Sequence, residues 1–281
     1  YSSVSCDYLL DKMKKDPKVV AITAGTPMVM GFTEDKRHEA GKQFVDVGIA
    51  EETAVALASG IAAGGGKPVF GVYSSFVQRT FDQVSQDLCI NNNAATIVTF
   101  AGSVYGMNDV THLGFQDIPM LSNIPNLVYL APTTKEEYIA MLDWSIEQNE
   151  HPVAIKLPGG AMVSGGPVTK DFGDLNKYEV TQKGNKVALL GLGTFYSLAN
   201  DAADEMKSEF GFDATVINPY YITGLDEELL ESLKADHSVV VTIEDGILDG
   251  GFGEKIARFY GDSDMKVLNY GLKKEFLDRY D

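Results

Sequence analysis

Short apolar runs alternate with amphipathic stretches along the whole chain. Each run is nearly continuous in hydrophobicity, which is typical of a strand that is covered on both faces. The runs occupy residues 19–22, 44–47, 69–73, 96–100, 127–130, 153–155, 187–190, 215–217, 239–243 and 267–268. Alternation of strands with helices predicts parallel sheets wrapped by helices.

The stretches between the runs carry the apolar spacing of helices. Helical patterns lie at about 53–63, 196–209, 226–234 and 252–260. Four apolar residues after the third run are spaced by three or four positions and are predicted to share one buried helix face: Val77, Phe81, Val84 and Leu88. Two overlapping capping boxes in residues 133–137 predict a helix start. The apolar stripe of that helix follows at Tyr138, Met141 and Ile146.

The pattern lapses at about residues 158–176, where the chain reads Pro158-Gly159-Gly160 and then Ser164-Gly165-Gly166-Pro167. Glycine, proline and serine with few strong apolar residues are typical of a linker. The sequence therefore predicts two consecutive three-layer α/β domains with mostly parallel sheets. We place the first domain at residues 1–163, the linker at 164–178 and the second domain at 179–281.

Composition and charge restrict the partners. The formal net charge of −17 disfavours nucleic acid and anionic membrane surfaces, so any phosphate site must be built locally. No window approaches the roughly 18 uninterrupted apolar residues of a membrane helix. Cys6 and Cys89 form no metal-ligand spacing, and we expect two buried thiols in a cytoplasmic protein. The chain begins at Tyr1 without a methionine or a signal peptide, so we expect a fragment or a processed form.

Two acidic residues, Glu51 and Glu52, stand where a predicted strand gives way to a helix of small residues. A helix so rich in Ala, Gly and Ser is expected to be buried on most sides, against another subunit or domain. The simplest interpretation of the two carboxylates is that they complement the dipole of the helix N-terminus. A functional site is the alternative.

Two further segments follow the carboxyl ends of predicted strands, where open α/β sheets bind ligands. The first, residues 73–79, carries Tyr73, Phe76 and Arg79. The second is the glycine-containing loop 101–114, with His112. Aromatic residues at such positions often belong to the core and a single histidine is often structural, so both segments remain candidates on this ground alone.

The order and spacing of these segments resemble the deoxyxylulose-phosphate synthases of the transketolase group of thiamin-diphosphate enzymes. Those enzymes read close to IAEQH, YSTFLQRAYDQV and DGPTHHG. The corresponding segments here are residues 48–51, 73–79 and 111–114, supported by 124–128, 131–132, 242–245 and 250–253. The resemblance covers essentially the whole chain and implies a pyrimidine-binding domain followed by the C-terminal domain of that group.

The resemblance also implies roles for individual residues. Cofactor contacts fall on four positions: Ile49, Glu51, Tyr73 and Phe76. Glu51 corresponds to the catalytic glutamate that hydrogen-bonds to the aminopyrimidine and favours the tautomer able to remove the thiazolium proton. Arg79 and His112 would face the substrate as catalytic residues and polarise its oxygens.

The chain departs from the pattern of that group at several positions. Two arginines that are implied phosphate ligands are replaced by Phe100 and Gly159. Neither replacement can fork onto a phosphate as arginine does. Asn108 stands at the position of the aspartate of DGPTH, with Asp109 one residue later, and Thr53 replaces a histidine. Either the acceptor is not glyceraldehyde phosphate, or the chain is impaired.

No Gly-Asp-Gly followed by an asparagine about thirty residues later is present in the sequence. The resemblance assigns that signature, which holds magnesium and the cofactor's diphosphate, to another half of the enzyme. We therefore expect thiamin diphosphate and magnesium as cofactors, no metal ligands in this chain, and a diphosphate-binding half or subunit as partner in a homodimer or heterotetramer. The expected reaction moves a ketol or acyl unit from a ketose or pyruvate to an aldehyde. A non-catalytic interaction or regulatory module is the alternative.

Overall fold

A computed structural model describes residues 1–104, 109–160 and 163–277. Within these ranges the first sheet has six strands, which are β1 Val19–Thr23, β2 Phe44–Asp46, β3 Lys67–Tyr73, β4 Thr96–Phe100, β5 Val128–Leu130 and β6 Val153–Lys156. Their spatial order is β2-β1-β3-β4-β6-β5, and every pair is parallel.

Helices cover the first sheet. Their bounds are α1 Ser2–Lys15, α2 Glu34–Ala40, α3 Glu51–Ala63, α4 Ser74–Val77, α5 Phe81–Gln83, α6 Asp117–Leu121 and α7 Lys135–Glu147. A 3₁₀ turn over Gln78–Thr80 and a π-helix over Val84–Cys89 continue the chain from α4 and α5. Helix α7 begins as its sequence predicts, because Thr134 accepts the backbone N–H of Glu137 while the Glu137 carboxylate accepts that of Thr133.

The second sheet is built in the same way from a later part of the chain. Its strands are β7 Glu179–Gln182, β8 Lys186–Gly191, β9 Thr215–Asn218, β10 His237–Ile247 and β11 Lys266–Leu272, in the order β11-β10-β8-β9-β7. The helices are α8 Tyr196–Phe210, α9 Glu227–Leu233 and α10 Phe252–Phe259. The predicted fold class, two consecutive α/β domains with mostly parallel sheets, is confirmed.

Three features differ from the sequence-based expectation. Strand β7 pairs antiparallel with β9, and its half-exposed edge carries too few apolar residues to give a strand signal. Helix α1 was not predicted from the sequence. Phe81 is 46% exposed, although Val77, Val84 and Leu88 are buried. The change from α to 3₁₀ to π winding between residues 74 and 89 breaks the 3.6-residue period and rotates Phe81 outwards.

The two sheets approach each other through segments that follow their strands. Ile247 at the end of β10 donates its backbone N–H to the Phe115 carbonyl at 3.0 Å, and Val104 donates to the Asp245 carboxylate at 3.4 Å. Leu130 of β5 forms an isolated bridge with Tyr221. The loops beyond β3 and β4 therefore lie next to the end of β10, where a cleft opens.

Candidate active site

The turn before α3 places Glu51 at the first position of that helix. The Asp46 carboxylate accepts the backbone N–H groups of Gly25 at 2.7 Å and Gly48 at 2.9 Å. Gly48 has φ +73°, a conformation that favours glycine. The turn directs the Glu51 side chain inwards, and this residue is only 2% exposed.

Arg79 joins Glu51 to the aromatic segment after β3. Its Nη1 donates to Glu51 Oε1 at 2.8 Å, and its guanidinium lies 5.4 Å from the centre of the Phe76 ring. The Phe76 and Tyr73 rings meet edge to face at 5.6 Å. Residues far apart in sequence are thus brought into one cluster, with the carboxylate at its buried end and Arg79, whose side chain is 48% exposed, at its open end.

His112 completes the cluster from the loop after β4. Its ring lies 5.2 Å from the Phe76 ring and 6.4 Å from the Tyr73 ring, both edge to face. Its Nδ1 is 2.8 Å from the Thr111 hydroxyl, which in turn donates to Asp109 at 2.7 Å. The hydrogen bonds from the Thr111 hydroxyl and backbone N–H lower the pKa of Asp109, so an ionised carboxylate orients the group beside the imidazole.

A cleft of about 860 Å³ opens beside this cluster. Its lining combines the segment after β3, the loop that carries His112 and the C-terminal part of the chain. The polar lining residues are Ser74, Ser75, Gln78, Arg79, Thr111, Gln116, Asp117, Asp249 and Lys274, and the large apolar ones include Phe76, Leu113, Phe115, Met120, Ile247 and Phe276.

A buried ion pair lies beside the cleft, which Asp117 lines, and sequence reasoning missed it. Lys156, at the end of β6, contacts both carboxylate oxygens of Asp117 at 2.8 and 2.9 Å. The Tyr129 hydroxyl donates to the same carboxylate at 2.6 Å, and burial followed by the Asp117 charge raises the pKa of Tyr129 well above its usual range. A lysine ending an otherwise apolar strand was the available signal, because such a residue needs a buried partner.

Ile49 is the one predicted cofactor contact that lies apart from the cluster, and it is 84% exposed. The exposed face of α3 continues from it through small residues: Thr53, Ala56, Gly60 and Ala63. The structure leaves this face open, so the predicted packing of α3 against another subunit or domain stays a prediction.

The positions that depart from the family pattern differ in their surroundings. Phe100 is buried at the end of β4, and Gly159 follows β6. Asn108 lies outside the described residues. Within the part of the chain that is described, no three His, Cys, Asp or Glu side chains converge on a point that could hold a metal ion. Nor does any helix there have the length and hydropathy of a membrane span.

Comparison with known proteins shows which family the chain resembles. Residues 1–162 match the family described as "Transketolase, pyrimidine binding domain", and residues 176–279 match "Transketolase, C-terminal domain". The chain belongs to the transketolase family. It therefore consists of domains of a thiamin-dependent type, in the order expected from its motifs.

Relatives of this transketolase-family chain include longer enzymes. The 1-deoxy-D-xylulose-5-phosphate synthase of Clostridium perfringens SM101 is 38% identical over 283 residues, which cover 99% of this chain and 45% of the relative. The synthase of Crocosphaera subtropica is 36% identical over 284 residues, covering 99% and 44%. The chain spans less than half the length of these two synthases.

Solved transketolase structures share the fold. A split-gene transketolase, described as an inactive β4 tetramer, superimposes with a TM-score of 0.83 at 21% identity, covering 98% of this chain and 89% of that one. Transketolase of Pichia stipitis with a bound sedoheptulose phosphate gives 0.76 at 19% identity, covering 99% and 42%. Both confirm the two-domain α/β architecture.

Proposed function

We propose that this chain is one component of a thiamin-diphosphate-dependent transferase. It moves a ketol or acyl unit from a ketose or pyruvate to an aldehyde, as deoxyxylulose-phosphate synthases and transketolases do. The observation that carries the proposal is the cluster in which Arg79 links buried Glu51 to Phe76, whose ring contacts His112. Family membership and 38% identity to a synthase support the same reaction class.

The described residues fit one half of a cofactor pocket. A carboxyl group that is 2% exposed beside a half-buried aromatic ring offers an acid to a ring nitrogen and a surface for stacking. Exposed Ile49 would contribute the apolar contact next to Glu51 once the pocket is completed. When bound, thiamin diphosphate supplies the acidic thiazolium carbon.

Glu51 and Arg79 have to share this pocket. Glu51 Oε1 already accepts from Arg79, so we assign the contact with the pyrimidine nitrogen to the other carboxyl oxygen. Arg79 spans from Glu51 to the cleft, where its exposed donors can polarise a substrate oxygen. His112, which contacts Thr111 and Asp109, belongs to the loop that lines the cleft and would exchange a proton with the substrate.

The rest of the site is assigned to a partner. We propose that a diphosphate-binding half or subunit holds the diphosphate and magnesium, and that the two parts assemble as a homodimer or heterotetramer in the cytoplasm. The share of the synthases' length that this chain covers, 45%, supports a second half of similar size. The domain boundaries 1–163, 164–178 and 179–281 are part of this proposal.

A specific observation favours a second candidate, a non-catalytic interaction or regulatory module. Phe100 and Gly159 supply no phosphate ligand where the resembling enzymes carry arginines. Loss of these contacts is compatible with a chain that kept the fold and lost turnover. The intact cluster of Glu51, Arg79 and His112 argues for the catalytic candidate.

Two measurements separate the candidates. Titration of thiamin diphosphate and magnesium into the folded complex of this chain with its diphosphate-binding half should release heat of binding, and no heat would leave only the module. In the loaded complex, Glu51→Gln should slow exchange of the thiazolium proton by about 10²–10⁴-fold, the usual range for removal of a general acid or base. Unchanged exchange would remove Glu51 from its role.

A further inference from the structure

The cleft beside the cluster is lined by a lysine side chain that no motif predicted. Lys274, on the segment that follows β11, lines it together with Asp249 and Phe276. Of the described lining residues, Arg79 and Lys274 carry positive charge. Arg79 already forms an ion pair with Glu51 at 2.8 Å, whereas Lys274 is 75% exposed and, among the described residues, forms an ion pair with the Asp249 carboxylate alone, at the longer distance of 3.4 Å.

The segment that carries Lys274 is anchored on both sides. The Leu248 backbone N–H donates to the Leu272 carbonyl at 3.0 Å on one side of it. Leu272 and Leu277 pack against a small apolar cluster that contains Leu113 and Phe115, from the loop that carries His112. These contacts hold the C-terminal segment against the wall of the cleft.

Unpartnered hydrogen-bond donors line the same cleft. The hydroxyl groups of Ser74 and Ser75 are inaccessible to solvent and have no hydrogen-bond partner among the described residues. Buried hydroxyls without partners are uncommon and costly, since each forgoes its hydrogen bonds to water. Both residues line the cleft, so rotation of the side chain about χ1 would bring either hydroxyl to a ligand that carries acceptor oxygens.

We propose that Lys274 binds an anionic group of the substrate in this cleft. The inference rests on the proposed function, because it concerns the substrate of that site. The chemistry recognised is a set of anionic oxygens, which a phosphorylated aldehyde or the carboxylate of pyruvate could offer. A local cation is needed because the net charge of −17 repels anions from the chain as a whole.

The first test uses the chain by itself and does not depend on turnover. Limited acylation of lysines, quantified by mass spectrometry, is compared in inorganic phosphate, pyruvate and chloride at equal ionic strength. Lys273, exposed and absent from the cleft lining, is the internal control. Acylation of Lys274 should be slowed by phosphate or pyruvate relative to Lys273, and equal slowing of both lysines would overturn the proposal.

The second test uses variants of the complex with the diphosphate-binding half. Lys274→Met should raise KM for the anionic substrate about fivefold and leave kcat unchanged, as expected for a solvent-exposed ion pair. Lys274→Arg keeps the charge and should leave KM near the native value. Asp249→Asn removes the competing carboxylate and should lower the same KM. If Lys274 only held the C-terminal segment in place through its ion pair with Asp249, both Lys274→Met and Asp249→Asn would raise KM.

The substrate whose KM changes identifies the source of the anion. A change for the aldehyde phosphate assigns the phosphate, and a change for pyruvate assigns the carboxylate. An unchanged KM for both overturns the proposal while the proposed reaction stands. If phosphate or pyruvate slows acylation of Lys274 but the complex shows no turnover, the anion site is supported and the proposed function is rejected.

Discussion

A buried carboxylate contacts the start of a helix in each domain, Glu51 in the first and Glu244 in the second, and the two carboxylates have different partners. Glu51 opens α3 in the first domain and accepts from the Arg79 side chain at 2.8 Å. Glu244, on β10 in the second domain, accepts from the backbone N–H groups of Phe252 at 2.8 Å and Gly253 at 2.7 Å, at the start of α10. Both carboxylates are withdrawn from water.

The difference separates a structural carboxylate from one that can change partners. Backbone N–H groups at a helix start are fixed, and Glu244 satisfies donors that the helix itself cannot. The Arg79 side chain is 48% exposed and can turn towards solvent or a ligand. The first site can therefore exchange its contacts during binding, whereas the second holds α10 on its sheet.

The largest effect is expected when Glu244 is removed. Glu244→Ala leaves two N–H groups buried without acceptors, and we expect a loss of about 2–5 kcal/mol in the free energy of unfolding. Urea denaturation followed by circular dichroism measures it. Glu205→Ala, an exposed position in α8, serves as control and should change stability little. A loss as small as in the control would contradict the structural role of Glu244.

The pH dependence of stability tests the same group. Burial raises the pKa of Glu244 from 4.5 to about 7, although two backbone N–H groups donate to it. The folded state therefore binds more protons than the unfolded state between these values, so this contribution to stability falls by about 3 kcal/mol as pH rises from 4.5 to 7.

Other groups titrate near that range and have to be separated. Burial also raises the pKa values of Glu137 and Asp245, and lowers that of Lys255 to about 8. The difference between the native chain and Glu244→Gln isolates one carboxyl group. Equal pH slopes for the two proteins between pH 4.5 and 7 would show that Glu244 is not the titrating group.

A smaller effect on stability is expected from substitution of Gly251, which lies against the Glu244 carboxylate. A Cβ at Gly251 would lie 2.6 Å from Glu244 Oε2, so Gly251→Ala should displace the carboxylate and cost about 1–3 kcal/mol. Gly60 in α3 has open space around its Cβ position, and Gly60→Ala should stabilise by about 0.5–1 kcal/mol. Thermal unfolding compares the two, and equal shifts in Tm would contradict the close approach at Gly251.

The smallest effect on stability is expected at Glu51. Glu51→Gln keeps the size of the side chain and an acceptor for Arg79, so the free energy of unfolding should change by less than about 1 kcal/mol. The same variant is predicted above to affect proton exchange strongly. Destabilisation comparable to that of Glu244→Ala would show that Glu51 is also a structural carboxylate and would contradict the contrast with Glu244.

Much of the fold could be read from local pattern. Nearly continuous apolar runs identified the buried parallel strands, and the capping residues at 133–137 identified the start of α7. Strand β7 and the exposure of Phe81 could not be read, because edge pairing and non-α winding leave no periodic signal. The residue-to-residue assignment of roles at Glu51, Tyr73, Phe76, Arg79 and His112 remains a prediction, although the structure brings these five side chains together.

The sequence by itself determined most of the strands and helices and their order, the family motifs and the absence of the two arginines. Only the tertiary structure decided which groups meet: Arg79 with Glu51, Lys156 with Asp117, and Lys274 with the cleft. The physical reason is that hydrophobic periodicity is a local property of the chain. The pairing of a buried charge depends instead on which segments the sheets bring within a few ångströms of each other.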